Sequence, residues 1–222
     1  MTPLKPDYDA AALKACETLI KYRITSLPIE PIHIIKATKG VILMSFRELA
    51  EINGIDRKSI MTVIGDDNKE AIATVRYEEG KLKYVIAYNQ RLPIVLVQRA
   101  LARELGHIML GHDGTRPEAV RTEEALVFAR HLLCPRPVLR AIESAGIPLT
   151  IELISSLTGC RQRCMQGICA TPGAYVPPEI NRLVRDQFAD FLEDFIDYGN
   201  SAKHKDCSPL ANFGTYFDNY EE

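Results

Sequence analysis

The 222-residue chain has no tryptophan, no cysteine pair at C-x-x-C spacing, no apolar run near the length of a membrane span, and almost no charge imbalance. Each absence closes a class. Without paired spacings, the six cysteines (Cys16, Cys134, Cys160, Cys164, Cys169 and Cys207) do not read as a zinc ribbon. The opening MTPLKPDYDAAALKAC lacks the basic-then-apolar order of a secretory signal, so the cytoplasm is the expected compartment. Reduced thiols follow, several of them buried as small hydrophobes, with Cys160–Cys169 the one candidate redox cluster. A formal net charge of −2 supplies no whole-chain basic field for nucleic acid. No internal repeat or low-complexity tract interrupts the chain.

What is present is an ordinary globular composition, 46% hydrophobic and 25% charged, enough to bury a sizeable core. Leu13, Cys16, Leu19 and Ile20 form one stripe of a helix over 8–22. Pro31 opens a short helix over 32–38, Val41–Met44 is a short strand, and Phe46–Ile52 is a brief polar helix. Ser59–Gly65, Ala71–Tyr77 and Lys81–Tyr88 are β-rich, with a turn at Glu79-Gly80. Pro93 starts a mostly apolar helix to Leu110, which Gly111 ends. Thr122 is expected to cap a helix over 123–133, stopped by Pro135, and Pro137 restarts a helix to Ser144. Residues 150–157 and 161–167 read as two packed helices around Gly159, with direct DNA binding as a minor alternative. A long helix over 179–198 carries Ile180, Val184, Phe188, Phe191 and Phe195, a packing seam against the body or a second subunit in a homodimer. The expected fold class is α+β, a small mostly antiparallel sheet on a central helix. Its expected division is 1–145, a helical region 146–198, and a polar tail 199–222.

The chemistry concentrates in Leu101-Ala-Arg-Glu-Leu-Gly-His-Ile-Met-Leu-Gly-His112. A zinc-hydrolase helix reads H-E-x-x-H, two imidazoles at i and i+4 on one face with a glutamate beside the first. Here Glu104 and His107 stand in place, but Arg103 occupies the first ligand position, and a guanidinium cannot ligate a metal.

Two stretches together resemble the ImmA/IrrE-type zinc metallopeptidases. Their H-E-L-G-H-x-x-L-G-H reads Arg103-Glu-Leu-Gly-His-Ile-Met-Leu-Gly-His112 here, and their E-A-N-x-F-A-x-x-L-L-x-P reads Glu124-Ala-Leu-Val-Phe-Ala-Arg-His-Leu-Leu-Cys-Pro135. Asn89 matches the asparagine between hairpin and helix, and the similarity spans about residues 8–170. The resemblance implies a zincin-like fold, Glu104 as general base, His107 and Glu124 as zinc ligands, and a helix-turn-helix repressor as partner, in mobile elements or stress responses. It breaks at Arg103 and at Leu126, where the family has asparagine. At an effective dielectric of ~20, a guanidinium about 4 Å from a zinc dication is repelled by roughly 8 kcal/mol.

Two functional classes follow. In one, the chain is a non-proteolytic, protein-binding pseudoenzyme in which Arg103 replaces the metal by pairing with Glu124 and Glu104. In the other, it is an active zinc endopeptidase with a site rebuilt from His107, His112 and Glu124, His112 lying just past Gly111 where the chain can turn back. Glycine at 106 suits close helix packing. His131 reads as a surface or interhelix histidine, and His33 and His204 have no evident partners.

Overall fold

The computed structural model describes residues 5–56, 59, 69–78, 81–160 and 174–203. Two compact units divide the chain, one of residues 1–14 and 30–129, the other of 15–29 and 130–222. The divisions after Lys14 and Ala129 fall inside helices, and the one after Ile29 falls in a loop.

The first unit is an α+β domain. Helix α1 (Tyr8–Lys21) begins in it, with Asp7 accepting the Ala10 N–H through its side chain at the amino end. Helix α2 (Pro31–Ala37) opens with proline at its first position, where no amide donor is needed. Strand β1 (Val41–Ser45) runs directly into α3 (Phe46–Asn53). A reciprocal capping box marks that junction: the Ser45 hydroxyl accepts the Glu48 N–H, and the Glu48 carboxylate accepts the Ser45 N–H.

Strands β2 (Ala71–Glu78) and β3 (Lys81–Tyr88) complete a sheet of order β1-β3-β2 among the described residues. The sheet is mixed rather than mostly antiparallel, because β1 joins β3 in parallel while β2 joins it antiparallel. The chain therefore reaches β2 running opposite to β1, and the reversal from β2 into β3 brings β3 parallel to β1. The expected strand over 59–65 lies, Ser59 aside, outside the described residues, as does the turn at Glu79-Gly80.

Val85, Ile86 and Ala87 of central β3 are all buried, as a strand covered on both faces requires. Alternation sends Val85 and Ala87 to one face, where Met44, Phe46 and Ala50 join them in a core cluster. The register places Ile86 beside Leu43 and Ala73 on the opposite face. Helix α4 (Ile94–Met109) packs against β2 and β3. Its Val97, Ala100, Leu101 and Leu105 are buried, each worth ~1–3 kcal/mol of apolar transfer according to size.

Asn89 is buried at the strand-to-helix connection, where its Oδ1 accepts the Arg91 N–H and its carbonyl accepts the Leu92 N–H. Helix α5 spans Glu118–Leu133 and therefore starts earlier than the expected 123–133. The Pro117 carbonyl accepts the first helical N–H groups, from Val120 and Arg121, so Thr122 sits inside the helix rather than capping it. Gly106 permits the close approach of α4 and α5: a Cβ there would lie 2.9 Å from Phe128 Cδ1 and 3.1 Å from the Ala125 carbonyl.

The second unit is helical in its described part. It holds α6 (Arg136–Ser144), α7 (Ile151–Thr158), α8 (Pro178–Gln187) and α9 (Ala189–Lys203). Thr150 caps α7 by accepting the Leu153 N–H, and Gly159 ends it at φ +64°. The proposed second helix of that pair, over 161–167, lies outside the described residues. The long helix expected over 179–198 is two helices broken at Phe188, whose φ and ψ are −95° and 15°. Just before the break, the Gln187 amide donates to the carbonyls of Leu19 and Ile24, anchoring the junction. The stripe survives it, since Val184, Phe188 and Phe195 are all buried within the chain. Cys16, Cys134 and Cys160 are buried and not joined in disulfides. No helix among the described residues is long and apolar enough to cross a membrane.

Candidate active site

The site of the first unit is assembled by the end of α4 and the start of α5. Helix α4 stops in a Schellman turn. The Gly111 N–H donates to the Ile108 carbonyl, the His112 N–H donates to the His107 carbonyl, and Gly111 takes φ +66°. This reversal lays the His112 ring against His107, their centroids 5.0 Å apart.

From there the contacts run in series. His107 Nδ1 and His112 Nδ1 are 2.9 Å apart, and His112 Nε2 lies 3.0 Å from Glu124 Oε2. A carboxylate can only accept, so His112 Nε2 is assigned the proton. Neutral His112 then accepts at Nδ1, and His107 donates from its own Nδ1. Burial lowers the pKa of both imidazoles, that of His107 to about 4, where His112, Arg103 and Arg121 add repulsion. For His112 the Glu124 contact opposes burial without overcoming it.

Glu124 is almost fully buried and well supplied with donors. Its Oε1 accepts the Asp7 N–H at 2.7 Å, and Arg116 Nη1 bridges both oxygens at 2.7 and 2.8 Å. Arg116 is in turn placed by Arg121, whose Nε donates to the Arg116 carbonyl. The expected pairing of Arg103 with Glu124 is not what forms. Arg103 lies beside Glu104, with Nη2 at 2.9 Å and Nε at 3.2 Å from the same oxygen, and Arg116 is the cation on Glu124. Sequence spacing carries no sign of this, because the Arg116 loop precedes α5 and its side chain could point anywhere. Glu104 also accepts a backbone hydrogen bond from Ala73 of β2. Its carboxyl is raised above the usual range because burial outweighs the attraction of Arg103.

Glu104, His107, His112 and Glu124 are thus gathered in one region, while Leu126 is half-buried two residues further along α5. His131 is buried rather than at the surface, and Arg136 and Arg130 join burial in lowering its pKa to about 4. His33 has a partner that spacing did not suggest, Glu30 at 2.7 Å. His204 lies outside the described residues.

A catalytic zinc needs three protein ligands converging on one point, with a fourth position open. This donor set does not fit one as arranged. Arg103 offers no lone pair, Glu124 already accepts four contacts, and His112 turns its two nitrogens toward two different partners. Among the described residues, no group of three or more His, Cys, Asp or Glu side chains converges in a metal-holding arrangement.

An α+β domain with Glu104 and His107 on its central helix and Glu124 on the next is consistent with a zincin-like arrangement. Residues 55–150 match the family model of peptidase M78, the IrrE N-terminal-like domain. Peptidases of this family are generally zinc-dependent. Neither the curated proteins nor the solved structures gave a match.

Proposed function

We propose that this chain is a non-hydrolytic IrrE-like protein, a regulatory module that binds a protein partner through the face that zinc chemistry occupies in active relatives. The supporting observation is the way the two site carboxylates are engaged. Glu104, the residue expected to take a proton from water, is paired with Arg103, and Glu124, the expected third ligand, is paired with Arg116. Two guanidiniums thus supply the positive charge that a dication would otherwise bring, without its Lewis acidity. By family resemblance the partner is a helix-turn-helix repressor.

The test is incubation of the purified chain with such a repressor and zinc. The expected product is a complex in which the repressor stays intact. Cleavage that disappears in Glu104→Gln would overturn the reading. A second reading, an active zinc endopeptidase with a rebuilt site, draws support from the adjacency of His107, His112 and Glu124. It requires His112 to rotate off Glu124 and Arg116 to withdraw.

A further inference from the structure

The second unit contains a cavity of about 1050 Å³ lined by α6, α8 and the segment just before α8. Four of its lining residues are arginines, Arg136 and Arg140 on α6 and Arg182 and Arg185 on α8. Among the described residues, no aspartate or glutamate lines it. Arg185 is paired with its neighbour Asp186. Among the described residues, Arg136, Arg140 and Arg182 have no carboxylate partner. This concentration is local, since the whole chain is slightly acidic. Guanidiniums gathered without a counter-charge repel one another, and an anion in the cavity removes that cost.

We propose that this cavity is a binding site for a phosphate-bearing anion of nucleotide size. Arg136 and Arg140 are one turn apart on α6, a rise of about 6 Å, which suits successive groups of a polyphosphate chain. Arginine presents planar, paired donors to phosphate oxygens. The cavity is the size of a small-ligand pocket and is concave, whereas a duplex is read by an element projecting into its groove. Tyr175, also lining the cavity and 61% exposed, offers a ring on which a base can stack. Asn181 donates from Nδ2 to the Val176 carbonyl, which fixes the amide's orientation and leaves its oxygen as an acceptor. His131 lines the same cavity as a neutral imidazole.

The test is calorimetric titration of the full chain with ATP, inorganic tripolyphosphate, adenosine and a short DNA duplex. The proposal expects saturable binding of ATP and tripolyphosphate and none of adenosine. Arg140→Gln and Arg182→Gln, both exposed and without carboxylate partners among the described residues, should each weaken anion binding about tenfold while leaving the thermal transition unchanged. Equal affinity for the two anions assigns the site to polyphosphate alone. Tighter ATP binding that Tyr175→Ala removes assigns it to a nucleotide. Absence of saturation at millimolar anion, or unchanged affinity in the doubly substituted chain, overturns the proposal. So does a duplex that binds more tightly than either anion and is displaced by neither.

Discussion

Replacing Arg116 by leucine isolates the ion pair on which the site rests. The Glu124 side chain is 3% exposed and that of Arg116 33%. Removing one partner of a fully buried pair costs ~3–5 kcal/mol. Two features reduce that here: Arg116 is partly in solvent, and the Asp7 N–H and His112 still serve the carboxylate. A loss of about 2 kcal/mol is therefore expected, lowering Tm by roughly 4–8 °C for a chain of this length. Arg103→Leu should cost less, about 1 kcal/mol, because Glu104, already raised in pKa, can take a proton and become neutral. Urea denaturation of the two variants and of Arg116→Leu/Glu124→Gln measures both effects. The double variant should recover part of the single loss, since no buried charge is left alone. The reasoning fails if Arg116→Leu lies within the error of the parent, or if Arg103→Leu is the more damaging.

Three other outcomes follow from the same geometry. His131 has a folded pKa of about 4 against an ordinary 6.5, so between those values the unfolded chain binds a proton that the folded one excludes. Stability must then fall as pH falls through that window, by about 3 kcal/mol for this residue when pH 4 is reached. The lowered His107 and His112 act in the same direction, whereas the raised Glu104 favours the folded state as pH falls through its own range. Urea midpoints across the window should slope in the parent and slope less steeply in His131→Leu, where His107 and His112 still contribute. Gly106→Ala should destabilise by ~1–3 kcal/mol, because its Cβ meets Phe128 and the Ala125 backbone; an unchanged Tm would show that α4 and α5 separate freely. Ser45→Ala opens the capping box of α3 and should cost about 1 kcal/mol in the same denaturation assay.

The sequence made the helices legible wherever a period and a stop coincided, as in α4 with its apolar run and Gly111. It misled where the stop was conformational. Nothing in the composition of 179–198 marks the break at Phe188, which coincides with a long-range anchor through Gln187. The parallel pairing of β1 was likewise hidden, since strand residues look alike in either direction. At the site, the meeting of His107, His112 and Glu124 was legible because Gly111 can take a positive φ and reverse the chain. The assignment of cations was legible only in part, for the expected Arg103–Glu104 pair. Pairing Arg103 with Glu124 was chemically reasonable, but Glu104 is next to it, and Arg116 reaches Glu124 from a loop whose course only the fold reveals.

The central claim is that paired arginines stand in this site where zinc stands in active peptidases of the family. Its most direct test is elemental analysis of the full chain purified without chelator and then equilibrated with zinc and desalted. The account predicts far less than one zinc per chain, with no change on His107→Ala. One zinc per chain, lost in both His107→Ala and Glu124→Gln, would contradict it.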